Sequence, residues 1–178
     1  MRAGKKMKKL IRSIVLGLLA SLFIAMPVFA DTIEGARQDF ENYQGDEVIL
    51  RAGDSATVRI MDSRGNWIAD GMLRISNPRN GNVGVYMTTQ CHIPVDEIMM
   101  TVAVDQLIES SNNWNQMEFY TFDYFPEDGK PLTDATLSFE VTGQEPDKWY
   151  RLRGLHMVFY GDESEGYSTR TAGIMITD

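Results

Sequence analysis

The sequence is poor in the residues that build disulfides and metal sites. Cys91 is the only cysteine among 178 residues, and His92 and His156 are the only histidines. An internal disulfide is therefore excluded, and a zinc site, which needs three or four His, Cys or carboxylate ligands, has few candidates. The fold must depend on packing. Cys91 alternates in phase with Val85 and Met87, which predicts a buried structural thiol.

Signatures of nucleophilic catalysis are also missing. The sequence has no Gly-x-Ser-x-Gly elbow, and Cys91 has no identifiable base. His156 is interpreted either as a core histidine that holds a structural hydrogen bond or as a base that works with a carboxylate. Glycoside hydrolysis needs only two carboxylates, and 25 acidic residues neither favour nor disfavour it. A non-enzymatic protein is therefore the main expectation, and a small secreted hydrolase that uses acidic residues with His156 is the alternative.

Long helical patterns are absent from Glu47 onward. Short alternating runs are instead separated by turn signals every 8–12 residues or so, which is the spacing of a β-sandwich. The sequence predicts an all-β domain over residues 47–178, a single antiparallel β-sandwich of about eight strands, with a β-barrel as the alternative. The runs are Val48–Leu50, Ala56–Ile60, a bent run over Trp67–Ile75, Val83–His92, Ile98–Val104, Trp114–Phe125, Leu137–Val141, Trp149–Tyr160 and Tyr167–Ile176. Residues 77–82 and 161–166 are expected to be loops.

The last two runs form a predicted hairpin around which the chain is organised. Neither face of its first strand is purely polar, which predicts a central strand rather than an edge strand. Alternation places Tyr150, Leu152, Gly154, His156 and Val158 on the face that is expected to meet the core. The opposite face carries Arg151, Arg153, Leu155, Met157 and Phe159.

The N-terminus has the pattern of a secretory signal peptide over residues 1–30. Six basic residues precede an apolar run over Ser13–Met26, and Val28-Phe29-Ala30 supplies small residues for cleavage after Ala30. The apolar run is shorter than the roughly 20 residues that a spanning helix needs. A secreted, extracellular protein with no stable membrane anchor after cleavage is therefore predicted.

The predicted mature chain, residues 31–178, is strongly acidic. Loss of the six basic residues leaves 11 basic against 25 acidic side chains, a net charge of −14. Such a chain should repel nucleic acid, so no nucleic-acid partner is expected. Its first part, residues 31–46, is polar, with a weak helical face formed by Ile33, Ala36, Phe40 and Tyr43. A short helix and a flexible leader are both compatible with that pattern.

Two stretches resemble a known group of proteins. One contains Ile75-Ser76-Asn77, Gly84-Val85-Tyr86-Met87-Thr88-Thr89, Val95, Ile98, Val102, Leu107 and Trp114. The other contains Tyr150-Arg151-Leu152-Arg153-Gly154-Leu155-His156, Glu165, Ser168, Thr169, Thr171 and Gly173-Ile174. Over residues 54–176 the chain resembles small secreted proteins of Gram-positive anaerobes that share a domain of unknown function. The resemblance implies one extracellular all-β domain and assigns no catalytic residue.

Two groups of residues are candidates for binding. Aromatic side chains on a sandwich surface could stack on sugar rings or anchor a protein partner, which makes a glycan, a cell-surface polymer or a protein the expected ligand. These candidates are Trp114, Tyr120, Phe122, Tyr124 and Trp149. Calcium is a weaker hypothesis, because Asp162, Glu163 and Glu165 place several oxygen donors in the last hairpin without matching an EF-hand loop. No other cofactor is indicated.

Overall fold

The structure is a computed structural model that describes residues 30–61 and 65–178. Residues Asp31–Asp178 form one compact unit, and this unit contains the fold. The predicted signal peptide lies outside the described residues except for Ala30, so its cleavage stays a prediction. Within the described ranges, no helix is long and apolar enough to cross a membrane.

Within the described residues, one helix is followed by nine strands. The helix α1 spans Ala30–Glu41 and overlaps the predicted stretch 31–46, but it ends before Tyr43. The strands are β1 Ser55–Met61, β2 Ile68–Arg79, β3 Asn82–Val95, β4 Glu97–Ile108, β5 Asn113–Tyr124, β6 Leu132–Val141, β7 Lys148–Tyr160, β8 Glu163–Arg170 and β9 Ile174–Ile176.

The strands form two antiparallel sheets. The first sheet has the order β1-β2-β3-β6, and the second has the order β5-β4-β7-β8, with β9 also paired to β7. Alternate apolar side chains of both sheets form the core between them, among them Leu73, Val85, Met100 and Leu152. The predicted antiparallel sandwich is thus confirmed. The barrel alternative is wrong, because the described strands divide between two sheets instead of closing into one.

Three local expectations differ from the structure. Residues 77–82 form no loop, because β2 continues to Arg79 and only Asn80 and Gly81 make the turn, with φ of 58° and 64°. A two-residue turn of this kind requires positive φ and matches the twist of the hairpin. In the last hairpin the link is also short, and β8 resumes at Glu163. The expected strand at Val48–Leu50 is only an isolated bridge from Leu50 to Gly173.

The central position predicted for the last hairpin's first strand is confirmed. The strand β7 pairs with β4 on one side and with β8 on the other. Tyr150, Leu152 and Val158 belong to the core between the sheets. The outer face is buried as well, because Ala36 and Phe40 of α1 pack against a small apolar cluster on the second sheet. The members of that cluster on the sheet are Ala103, Leu155 and Met157, with Met99 and Phe159 beside them.

Candidate functional site

A buried charge cluster lies on the outer face of the second sheet. Asp105 of β4 has no exposed side-chain area, and it stands between Arg151 and Arg153 of β7. One oxygen, Oδ2, accepts from Nε of Arg151 at 2.9 Å and from Nε of Arg153 at 2.8 Å. The other oxygen, Oδ1, accepts from Nη2 of Arg153 at 3.0 Å. Alternation along β7 accounts for the arrangement, since residues 151 and 153 share a face.

Arg153 ties the cluster to α1. Its Nη1 donates to the backbone carbonyl of Phe40, and its guanidinium lies over the rings of Phe40 at 4.9 Å and of Tyr43 at 4.0 Å. Its Nη2 also donates to Oε1 of Gln116 at 2.7 Å. Arg153 is only 1% exposed, so most of its donors are committed to groups of the protein. The guanidinium therefore holds α1 on the sheet.

Arg151 ties the segment after α1 to the same cluster. Its Nη2 lies 2.7 Å from Oδ2 of Asp46, and its guanidinium lies 4.4 Å from the centroid of the Trp114 ring. Arg170 of β8 reaches the other oxygen of Asp46 at 2.9 Å. Burial lowers the pKa of Arg151, while the carboxylates of Asp105 and Asp46 raise it.

The helix α1 forms one wall of a groove on the outer face of the second sheet. We call this feature the α1–β5 groove, and its volume is about 510 Å³, within the range of small-ligand sites. Phe119 of β5 is 53% exposed, and its ring meets that of Phe40 edge-on at 6.2 Å. The residues that line the groove are Arg37, Phe40, Glu41, Tyr43, Met99, Thr101, Gln116, Phe119, Thr121, Arg153 and Leu155.

The exposed charges of the groove cancel. Arg37 and Glu41 have opposite signs, and the buried Arg153 is bonded to Asp105, which it shares with Arg151. The hydroxyls of Thr101 and Thr121 lie 3.1 Å apart and line the groove beside Phe119. A site with an exposed aromatic ring, hydroxyls and exposed charges that cancel favours an uncharged, hydroxyl-rich ligand over an ion.

His156 lies on the other face of β7 and is fully buried between the sheets. Its Nδ1 is 2.8 Å from Oγ1 of Thr89, and its Nε2 is 3.2 Å from Oγ1 of Thr169. Burial lowers its pKa from 6.5 to about 3, so the ring is neutral at ordinary pH. Gly71 makes room for the ring, since a Cβ there would lie 3.2 Å from it. This geometry matches the structural interpretation and exposes no base to a substrate.

The proposed calcium ligands do not form one cluster. Glu165 is buried, and its carboxylate accepts from three backbone N–H groups, those of Asn66, Trp67 and Ile68, at 2.7–3.0 Å. Asp162 and Glu163 are exposed at the turn. Over the described part of the chain, no group of three or more His, Cys, Asp or Glu side chains is arranged to hold a metal ion. Calcium binding stays a prediction, and the carboxylate of Glu165 is already bonded to the backbone of residues 66–68.

The structure brings together three of the five predicted aromatic ligand residues. Tyr120 and Phe122 point towards the first sheet and pack on Phe139, with ring centroids 5.1 and 5.5 Å apart. Tyr124 lies on the same face and donates its hydroxyl to the carbonyl of Thr136 at 3.3 Å. All three are half-buried, at the margin of the sandwich.

Trp114 and Trp149 stand apart from that row. Trp114 is 2% exposed and lies under Arg151, whereas Trp149 is half-buried where β7 pairs with β9. Phe119 lies on the opposite face of β5 from Tyr120 and Tyr124 and is more exposed than either of them. It was not among the predicted ligand residues. The period of a strand puts Phe119 on one face with Met117 and Thr121, but the groove forms only where α1 lies against the sheet. The helical face with Phe40 and Tyr43 was the available signal.

Cys91 is partly buried next to the core. Burial, together with the carboxylates of Glu165 and Asp134, raises the pKa of its thiol to about 12. Such a thiol carries almost no thiolate and is a poor nucleophile, as expected of a structural cysteine.

Comparisons with known proteins assign neither a family nor a function to this chain. No family model matches the chain, so the resemblance to secreted proteins of Gram-positive anaerobes stays a prediction. No curated protein matches it either. Among solved structures, the chain is similar to the crystal structure of Spo0M, a sporulation control protein from Bacillus subtilis, with 8% identity and a TM-score of 0.30. The alignment covers 71% of this chain and 50% of the Spo0M chain, and so weak a similarity carries no inference about function.

Proposed function

We propose that the chain is a secreted, non-enzymatic binding module that takes a neutral glycan in the α1–β5 groove. The observation that carries the proposal is Phe119, a largely exposed aromatic ring beside a cleft that is lined with threonine hydroxyls and a glutamine. An aromatic face stacks on the apolar face of a sugar ring, and the polar groups beside it bond to the sugar hydroxyls. The signal-peptide pattern of residues 1–30 supports an extracellular role.

The rigidity of the groove also supports binding. Arg153 and Asp105 fix α1 against β5 before any ligand arrives, so little conformational entropy is lost on association. The alternative, a hydrolase that uses acidic residues with His156, has no comparable support, because that histidine is fully buried between the sheets.

The test begins with residues 31–178, screened against an array of neutral and charged glycans. The best neutral glycan is then titrated calorimetrically against the wild type and two variants. Phe119→Ala should weaken binding about tenfold or more, equivalent to about 1.4 kcal/mol. Phe125→Ala is the matched control, because Phe125 is 60% exposed and lies outside the groove, and it should bind like the wild type.

Two results would contradict the proposal. One is the absence of binding to every neutral glycan. The other is an equal effect of Phe119→Ala and Phe125→Ala, which would show that the exposed rings act without regard to the groove.

A further inference from the structure

The strand β5 is a long edge strand with little protection. It has 12 residues and, among the described strands, pairs only with β4, whereas the other edge strands, β1, β6 and β8, have 7, 10 and 8 residues. An exposed edge presents a row of backbone N–H and C=O groups, and natural proteins usually shield it with lysine, proline, a bulge or a cover. The sequence of β5 contains neither lysine nor proline.

The regular part of this edge is a template for another strand. From Ile98 paired with Tyr124 to Val104 paired with Glu118, the β4–β5 ladder has no register shift, and the shift comes only at Asp105. In the described part of the chain, no hydrogen bond from outside the ladder reaches the β5 backbone between residues 115 and 124. The edge of β6, in contrast, receives the hydroxyl of Tyr124 at the carbonyl of Thr136.

Apolar side chains flank the edge on both faces. Met117 and Phe119 are 45% and 53% exposed on the outer face, and the half-buried Tyr120, Phe122 and Tyr124 border it on the inner face. An added strand would therefore find apolar contacts for its alternate side chains as well as backbone partners, which is the usual basis of recognition by strand addition.

The charge around the edge selects the partner. The strands β5 and β6 together carry four exposed acidic side chains and no basic one. A second copy of this chain, joined edge to edge, would add two more carboxylates, Glu118 and Asp123, along the same acidic edge, which is unfavourable. A basic segment would instead place lysine or arginine side chains beside these carboxylates, which is favourable. The four acidic residues are Glu118, Asp123, Asp134 and Glu140.

We propose that the β5 edge binds an extended basic segment of another protein as an added strand. Backbone hydrogen bonds over residues 118–124 supply the register, and the acidic side chains select for lysine or arginine. This site shares Phe119 with the α1–β5 groove, but its hydrogen bonds come from the backbone edge of β5, which the glycan proposal does not use.

The test uses a ten-residue peptide that alternates lysine with valine, with both ends blocked. A peptide of the same sequence and charge with every backbone amide N-methylated is the matched probe, because an N-methylated amide has no N–H to donate. Wild-type residues 31–178 should bind the first peptide at least tenfold more tightly than the second. On binding, alternate amides over residues 118–124 should gain protection from hydrogen exchange measured by NMR.

Charge reversal gives the second arm of the test. The double variant Glu118→Lys/Asp123→Lys should bind the lysine–valine peptide at least tenfold more weakly, whereas Glu163→Lys, at the exposed start of the β8 edge, should have little effect. Equal binding of the two peptides, equal effects of the two reversals, or protection outside residues 118–124 would overturn the proposal. Sedimentation that shows a dimer protected along β5 would overturn it in favour of a second copy.

Discussion

The strand β7 carries a buried polar group on each face, and the two are satisfied in different ways. On the inner face, His156 is neutral, and two threonine hydroxyls meet its ring nitrogens. On the outer face, Arg151 and Arg153 keep their charges and share the carboxylate of Asp105. The difference shows that a titratable side chain can be buried either in its neutral form or as a charge that is paired with an opposite charge.

The two solutions also differ in what they organise. The histidine joins β3, β7 and β8 inside the core, where apolar packing would hold the sheets together in any case. The charged cluster joins the sheet to α1, whose own apolar contact is small. Buried ion pairs add little net stability compared with apolar packing, but they specify one arrangement. Here we infer that they specify the position of α1 and, with it, the α1–β5 groove.

The largest effect is expected when the outer cluster loses its carboxylate. Asp105→Ala leaves two buried guanidinium groups without their shared partner and should lower the free energy of unfolding by about 3–5 kcal/mol. The urea midpoint, measured with the slope checked for two-state behaviour, gives the value. A loss below 1 kcal/mol would mean that water or a shifted side chain replaces the carboxylate.

Removal of the inner polar group should cost less. His156→Ala leaves a cavity and two threonine hydroxyls without their partner, and we expect a loss of about 2–4 kcal/mol in the same urea experiment. An unchanged midpoint would show that the ring is not buried as described.

The pH dependence separates the two faces further. The pKa of His156 is about 3 in the folded state and 6.5 for the free side chain. Between these two pH values the unfolded chain binds a proton at His156 and the folded chain does not. The stability due to the neutral ring is fully present above pH 6.5 and is lost as the pH falls towards 3, by up to about 1.4 kcal/mol per pH unit. The wild type should lose more stability than His156→Gln across this window. Parallel pH profiles would contradict the account.

A smaller loss of stability is expected when a methyl group is added on β7 close to Thr169, the partner of His156. A Cβ on Gly154 would lie 2.5 Å from Oγ1 of Thr169 and 3.1 Å from Leu73, so Gly154→Ala should cost about 1–3 kcal/mol. Gly35→Ala in α1 is the matched control, because a Cβ there meets nothing within 4 Å, and it should stabilise the protein by up to about 1 kcal/mol. The two urea midpoints should move in opposite directions.

The smallest effect is expected at an exposed ion pair. Lys130 and Glu127 lie 3.1 Å apart, but their side chains are 77% and 75% exposed. Lys130→Ala should change the free energy of unfolding by less than about 0.5 kcal/mol. A larger loss would show that distance alone, without burial, sets the strength of pairs in this protein.

The sequence predicted the inner face of β7 well and the outer face poorly. Strict alternation placed Leu152, His156 and Val158 inside, because a strand has a period of two whatever surrounds it. Nothing in that period shows that Arg151 and Arg153 are buried, since arginines on a strand usually face water. Their burial depends on α1 and on Asp105, which is more than 40 residues away in the chain.

The sequence did not predict the α1–β5 groove either, because the groove also depends on contacts between distant parts of the chain. Phe119 and Thr121 belong to one face of β5, but their neighbours Phe40 and Tyr43 come from a segment whose helical pattern was weak. The turn at residues 77–82 is shorter than the sequence predicted, because Pro78 and three asparagines are typical of a loop. Pro78 is accommodated at a register shift, where the ladder needs no N–H from it.

Hydrogen exchange of α1 in Asp105→Asn tests the central inference most directly. If the charged cluster positions the helix, the amides of residues 33–41 should lose protection, while those of β2 and β3 keep it. The same variant should then lose the glycan affinity that depends on Phe119. Full protection of α1 in Asp105→Asn would contradict the account, as would an equal loss of protection throughout both sheets.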